Sequence, residues 1–227
     1  KNAAKVCVAF EGMEHFFPAN KIKLTGNPIR RESVAIANKH AEALEYFGLT
    51  ADKKTILVLG GSLGARTLNK CMLAGIEALT QANVQVIWQT GASYYLSITK
   101  TLLQEHEHIK IFEFLNRMDL AYAAADIIIS RAGAGTIAEL CVVGKPIILV
   151  PSPNVAEDHQ TKNAMALVKH EAAFIVTDQD AEQKLVKAAL SLLENPTKCA
   201  DLSRQIAHMA IANADEIIAN EVLNTLK

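Results

Sequence analysis

Short runs of Val, Ile and Leu recur along the chain at residues 6–10, 22–24, 55–59, 84–88, 109–112, 127–129, 146–150 and 173–176. Several of these runs are apolar at every position, so they have no polar side to offer to water and read as strands buried on both faces. Helical stretches separate most of them, at 35–47, 66–79, 94–105, 136–143 and 160–169. Strands that alternate with helices and are covered on both sides predict an α/β fold, a parallel sheet with flanking helices. From Ala181 onward the strand pattern stops, and three helices are expected, broken at Asn195-Pro196 and near Asn213. Gly26-Asn27-Pro28 marks the best boundary, because a strand ends there in a turn dipeptide before the first long helix. It reads either as a hinge between domains or as a surface turn.

Composition narrows the class. The chain has 227 residues, 50% of them hydrophobic, enough to bury a full core. A formal net charge of -1 gives no overall attraction to nucleic acid or to acidic lipid, so partners must be read from local sites. Cys7, Cys71, Cys141 and Cys199 are scattered without C-x-x-C spacing and mostly lie in apolar segments, as expected of reduced core thiols. No metal site is expected. Lys145 interrupts the most apolar stretch and Asp126 precedes the next, so no membrane span is expected. The chain opens Lys1-Asn2-Ala3, without Met, and runs almost at once into a strand, which reads as an excised segment.

In parallel sheets the chemistry gathers in the loops that follow the strands. Gly60-Gly61-Ser62-Leu63-Gly64-Ala65-Arg66 joins an apolar strand to a helix. Its glycines let backbone approach an anion, the helix start offers N–H donors and Ser62 adds a hydroxyl, which suits a diphosphate. A tight turn that needs glycine accounts for the same residues. Ser130-Arg131-Ala132-Gly133-Ala134-Gly135-Thr136-Ile137-Ala138-Glu139 stands in the same position after another strand. There Thr136 and the amides of Ala134 and Gly135 face an anion, Arg131 supplies charge, and Glu139 either takes two ribose hydroxyls or acts as an ordinary first-turn acid. A third loop, 151–160, leads into Asp158-His159-Gln160-Thr161-Lys162-Asn163, a cluster suited to sugar hydroxyls; Asp158 also reads as an N-cap and His159 as a surface residue. Phe114-Leu115 follows a strand as a base-stacking platform or as core. Asp178-x-Asp180 precedes a helix and reads as capping rather than as a metal-binding pair.

Gly133-x-Gly135-x-x-Ala138 also matches the loose dinucleotide fingerprint, so an NAD-type oxidoreductase is a competing reading. That fingerprint needs an acid at the end of the next strand, where this chain has Leu149-Val150-Pro151.

Taken in order, Leu24-Thr25-Gly26-Asn27-Pro28-Ile29-Arg30, the Gly60 loop, Phe114-Leu115, the Ser130 loop and Asp158-His159-Gln160-Thr161-x-Asn163-Ala164 resemble the MurG family of peptidoglycan glycosyltransferases. The similarity runs through nearly the whole chain and weakens in the last helices. It implies a Rossmann-like domain, the C-terminal half of a two-domain GT-B fold. Residues 1–25 are then the tail of a preceding N-terminal domain with its linker, 26–212 the UDP-sugar-binding domain and 213–227 a C-terminal helix. The resemblance further implies that Arg30 and Ser62 contact the nucleotide and its diphosphate, and that the Leu115 backbone reads uracil beside Phe114. The segment Ala134, Gly135, Thr136, Ile137, Ala138 and Glu139 would bind phosphate and ribose, with Gln160 on the N-acetylglucosamine. Ala132 stands where a serine is usual and Gly135 where a larger apolar residue is.

The reaction so implied moves N-acetylglucosamine from UDP-N-acetylglucosamine to the undecaprenyl-diphosphate-linked muramoyl-pentapeptide, with inversion, at the cytoplasmic face of the bacterial membrane. UDP leaves against helix N-termini and basic side chains, with no cofactor and no metal. The general base, the acceptor site and the membrane contact are expected in an N-terminal domain that this chain lacks, so no catalytic residue is assigned here, and the isolated chain is expected to turn over little. Nucleic acid is not an expected partner. Besides the oxidoreductase, a donor subunit of a split glycosyltransferase and a non-catalytic nucleotide-sugar-binding module remain open.

Overall fold

The computed structural model describes residues 3–102 and 106–225. Its strands are β1 (Val6–Val8), β2 (Ile22–Leu24), β3 (Thr55–Leu59), β4 (Gln85–Gln89), β5 (Ile109–Phe112), β6 (Ile127–Ser130), β7 (Ile147–Leu149) and β8 (Phe174–Ile175). The last six form one parallel sheet in the order β5-β4-β3-β6-β7-β8. The helices are α1 (Arg31–Val34), α2 (His40–Phe47), α3 (Arg66–Ala74), α4 (Ile76–Gln81), α5 (Tyr95–Thr101), α6 (Met118–Ala124), α7 (Ala134–Val143), α8 (His159–Val168), α9 (Ala181–Leu193), α10 (Pro196–His208) and α11 (Ala214–Thr225).

The two-residue period of the strands sorts their side chains into two cores. Leu57, Leu59, Ile87, Ile128, Ile147 and Leu149 face one layer, built from α2, α6, α7 and α8. Ile56, Val58, Val86, Trp88, Ile127, Ile129 and Ile148 face the other, built from α3, α4 and α9. Every residue of β3, β4, β6 and β7 is buried, which is why these segments carry no polar alternation. Burial of each such aliphatic side chain contributes about 1.5–3 kcal/mol, and the sheet collects it on both faces.

Several predicted elements are trimmed or broken. The strands at 6–10, 146–150 and 173–176 shorten to β1, β7 and β8, and the one at 84–88 shifts by one residue to β4. The helix expected over 35–47 shortens to α2, the separate short α1 precedes it, and Asn38 between the two adopts a left-handed conformation with φ 62°. The helix over 66–79 breaks at Gly75, where an added Cβ would lie 2.4 Å from Val186 Cγ2, so α9 packs directly on the break. The end of the helix expected over 94–105 lies outside the described residues. The interruption at Asn195-Pro196 forms as predicted: the Asn195 side chain accepts a hydrogen bond from Lys198 N at 3.0 Å, with Pro196 in the first turn. Helix α6 has no counterpart among the predicted elements. Six of its seven residues are buried, so no polar face betrays it. Cys7 is exposed, unlike the core thiols expected, whereas burial pushes the Cys71 and Cys141 thiols up to about 11.

Helix α6 is fixed to α2 through Asp119. Its carboxylate accepts from Arg117 Nε and Nη2 at 2.9 Å and from Lys39 Nζ at 2.7 Å, and Arg117 also reaches Glu42 at 3.1 Å. Arg117, and after it Lys39, hold the Asp119 carboxyl well below the usual carboxylate range. The unfolded chain therefore takes up this proton first as pH falls. Asp119→Asn is expected to lower stability at pH 7 by about 1–3 kcal/mol. That deficit should shrink steadily as pH falls below about 4; urea midpoints of both proteins from pH 7 to 2 measure it, and a constant deficit would rule the linkage out.

Residues 6–24 form a separate parallel pair, β1 with β2, joined through turns at Met13–His15 and Ala19–Lys21. Gly26, at φ 73°, ends this unit against α10's trailing segment, where its Cβ position is 2.9 Å from Ile211 Cβ. Lys23 pairs with Glu221 at 3.7 Å, and Arg31 meets both Asp215 and Glu216, so α11 bridges the two parts.

Candidate functional site

The strand order places β3 and β6 side by side in mid-sheet, with Leu59 opposite Ser130. From that level the chain leaves β3 for α3 in one helical layer and leaves β6 for α7 in the other. The two loops diverge, and a crevice opens between them at the point where a parallel sheet of this order receives ligands. Both Gly60–Ala65 and Arg131–Gly133 border it. The loops after β5 and β7 emerge from the same edge, so Ser62, Phe114, Leu115, Ala134–Glu139 and Gln160 share one end of the sheet.

The first glycine loop serves two purposes. Gly64, at φ 88°, lies against the next loop: an added Cβ would be 2.3 Å from Thr90 O. Gly91, at φ 82°, faces it from the other side, with its Cβ position 2.1 Å from Gly64 N. Those two glycines satisfy packing, as the turn reading requires. Gly61 differs, because it has φ 77° and nothing within 4 Å of its Cβ position. Ser62 beside it is exposed, and its hydroxyl makes no hydrogen bond to any described residue. Helix α3 begins after Ala65 without a side-chain cap, so its first N–H groups remain available for an anion.

Helix α7 likewise begins after Gly133 with no side-chain cap. Gly135 is exposed with nothing within 4 Å of its Cβ position, so the space beside it is open. Arg131 does not supply free charge to this loop. Its guanidinium is held by the Asp178 carboxylate and by the carbonyls of Val150 and Pro151, at 2.9 and 3.3 Å. Asp178 also accepts from Thr67 Oγ1 at 2.9 Å and is a cross-loop tie rather than a helix cap. Asp180 does stand at the start of α9, where its carboxylate accepts from Thr177 Oγ1 at 3.0 Å and pairs with Lys184.

The Ala132 peptide is gripped from α8. Its N–H donates to Gln160 Oε1 at 3.3 Å, and its carbonyl accepts from Asn163 Nδ2 at 3.1 Å. Gln160 Oε1 takes a second donor, Ser152 N, at 2.9 Å, so the carbonyl end of this side chain joins two loops and only its amide nitrogen is left for a sugar. Ala132 is fully buried, which places its methyl in core rather than on the crevice wall.

Glu139 is the sixth residue of α7, beyond the first turn, so the helix-dipole account of it fails. Its Oε2 accepts from the buried Tyr122 hydroxyl at 3.1 Å. At the neighbouring strand end Phe114 is 54% exposed, which makes it a free ring rather than core. Leu115 is buried, and its N–H donates to Gln89 Oε1 at 3.2 Å, so of its backbone groups the carbonyl is the one left to read a base. Asp158 does occupy the N-cap position of α8, at φ 52°, but its carboxylate accepts from Thr161 Oγ1 and caps no backbone N–H. Arg30 is exposed at the start of α1, which packs on α6 and α7.

A cleft of about 620 Å³ runs instead along the outer face of α7, between Phe10, Leu24 and Gly26 on one side and Leu167 and Met209 on the other. It meets the predicted set only at Ala134, Ile137 and Ala138. Its walls are largely apolar and it misses both the Gly60 loop and Gln160, so the crevice between the β3 and β6 loops is the better candidate. Among the described residues no group of three or more His, Cys, Asp or Glu side chains is placed to hold a metal ion, and no helix is long and apolar enough to cross a membrane.

Comparison with known proteins agrees with this fold. Residues 55–218 match the model of the glycosyltransferase family 28 C-terminal domain. The UDP-N-acetylglucosamine--N-acetylmuramyl-(pentapeptide) pyrophosphoryl-undecaprenol N-acetylglucosamine transferase of Bacteroides fragilis is 50% identical over 226 residues, 98% of this chain and 60% of that protein. The protein of the same name from Parabacteroides distasonis is 50% identical over 228 residues, 100% of this chain and 62% of its own length. Among solved structures, MurG of Acinetobacter baumannii superposes with a TM-score of 0.72 at 26% identity, covering 98% of this chain and 60% of that one. The chain thus spans about 60% of the length of the curated relatives it matches. The resemblance read from the ordered loops holds across the fold, and the chain belongs to glycosyltransferase family 28, whose C-terminal domain it carries.

Proposed function

We propose that this chain is the donor-binding part of an inverting transferase that moves N-acetylglucosamine from UDP to an undecaprenyl-diphosphate-linked muramoyl-pentapeptide. The observation that carries the reading is the pair of uncapped helix N-termini, α3 and α7, that border one crevice in mid-sheet. Negative charge grows on the diphosphate as the bond to the sugar breaks. Fixed N–H donors at two helix starts stabilise that charge without reorganising. Ser62 and Thr136 add hydroxyls, and exposed Arg30 is assigned to the diphosphate, since Arg131 is committed to Asp178. Glu139 takes the ribose hydroxyls, the Leu115 carbonyl accepts from the uracil ring beside Phe114, and the Gln160 amide nitrogen donates to the sugar.

Binding and acceptor activation are separate tasks. All of these side chains are given to the donor, and the general base, the lipid-linked acceptor and the contact with the cytoplasmic membrane face are assigned to a further domain of the whole protein. The parallel pair β1–β2 supports that division: a two-stranded parallel sheet with Cys7 and Leu24 exposed does not bury itself, as such strands require. The dinucleotide reading is disfavoured by a specific feature. Neither β4, which ends Gln89-Thr90-Gly91, nor β7, which ends Leu149-Val150-Pro151, carries the acid that would take an adenosine ribose.

Thermal unfolding with added ligands tests the reading. UDP-N-acetylglucosamine at about 100 times its Kd should add about 2.7 kcal/mol. For a chain of this size that corresponds to a rise in Tm of roughly 5–10 °C. UDP-glucose should stabilise less, and NADH not at all. Stabilisation by NADH with none by UDP-sugars would return the chain to the oxidoreductase reading.

A further inference from the structure

Tyr122 lies on α6, fully buried among the hydrophobic residues of one core layer. A tyrosine hydroxyl in such a place needs a partner, and this one has Glu139 Oε2 at 3.1 Å. Glu139 is only partly buried, and with Oε2 held by the phenol its other carboxylate oxygen, Oε1, makes no hydrogen bond to any described residue. A glutamate side chain on a helix surface samples many rotamers. A donor fixed in the core restricts that freedom and so constrains where the remaining oxygen can lie. The helix that carries the donor is itself rigid, because Asp119, three residues earlier, is tied to Arg117 and Lys39.

We propose that Tyr122 is a positioning residue: it presents the Glu139 carboxylate in the orientation that accepts two adjacent hydroxyls of a ribose. The proposal rests on the donor-binding reading and adds a residue that no part of the loop motifs contains. Its chemistry is simple. The phenol donates to Oε2, and the lone pairs of Oε1 are left for vicinal O–H groups, which a carboxylate binds in a forked pair. Burial and the nearby carboxylate raise the Tyr122 pKa well above its ordinary value, so the phenol stays a donor throughout the neutral and mildly alkaline range.

The test measures binding of UDP and of 2′,3′-dideoxy-UDP by calorimetry to the wild-type protein, Tyr122→Phe, Glu139→Ala and the double variant. Tyr122→Phe should weaken UDP about tenfold, the loss expected for one hydrogen bond to a charged group. It should leave the analogue's affinity unchanged, should do so equally at pH 6.5 and 8.5, and should add nothing in the Glu139→Ala background. Equal weakening of UDP and the analogue would show a structural role only, and an undiminished affinity for UDP would show none; both overturn the proposal. Wild-type protein that binds UDP but does not distinguish it from the analogue removes the ribose role of Glu139, and with it the proposal. Wild-type protein that binds neither overturns the donor-binding reading itself. A matched urea midpoint for Tyr122→Phe and the wild type excludes misfolding as the cause of any loss.

Discussion

Replacing Gly64 with alanine is expected to destabilise the protein by about 2–5 kcal/mol, through overpacking and a left-handed backbone acting together. The new Cβ would sit 2.3 Å from the Thr90 carbonyl and 2.6 Å from the Tyr94 ring, at φ 88°. The carbonyl belongs to backbone and cannot rotate away, so the two loops must part. That is a large share of the roughly 5–15 kcal/mol that holds an ordinary domain together. Gly61→Ala provides the contrast. It has φ 77° but open space around it, so only the backbone cost of about 1–2 kcal/mol applies. If a diphosphate approaches the loop at that open position, Gly61→Ala reduces donor affinity far more than it reduces stability. Urea unfolding of both variants, followed by UDP titration, separates the effects; equal stability losses would contradict the packing account.

The second large effect is expected on binding. Glu139→Ala should weaken UDP-N-acetylglucosamine by roughly 30- to 150-fold, because hydrogen bonds to a charged acceptor contribute about 1.5–3 kcal/mol and the lost group serves two hydroxyls. Stability should fall as well, by about 1–3 kcal/mol, because the Tyr122 phenol is left buried without its partner. Titration calorimetry reads the affinity. A loss below threefold would place the ribose elsewhere. Combined with the expected effect of Tyr122→Phe, this series ranks the carboxylate above the residue that aims it.

The strands are legible in the sequence because an interior parallel strand is buried on both faces and shows as an uninterrupted apolar run, such as Ile127-Ile128-Ile129. Both glycine loops are legible for a related reason: glycine between a strand and a helix marks backbone that must turn tightly or be approached closely. What escapes is anything set by tertiary neighbours. Helix α6 reads Leu120-Ala121-Tyr122-Ala123-Ala124 with no polar period, so it merges with the following strand, and the Tyr122–Glu139 contact goes with it. Gly91 lies outside every motif and is required only because its loop touches Gly64. Arg131 reads as spare charge until the fold brings Asp178, 47 residues away, against it. The Leu115 N–H reads as open to a base, yet strand order delivers Gln89 to it. Gln160 is expected to face the sugar, whereas half of its side chain holds the neighbouring loops together.

The central claim is that loops from separate strands converge on a single donor molecule. Backbone amide NMR of the labelled protein, titrated with UDP-N-acetylglucosamine, tests it most directly. The largest shifts are predicted at Gly61, Ser62 and Gly64 after β3 and at Ala134, Gly135 and Thr136 after β6, all following one saturation curve with one Kd. Shifts confined to the cleft beside Phe10, Leu24 and Met209, or different affinities at the two loops, would contradict the account.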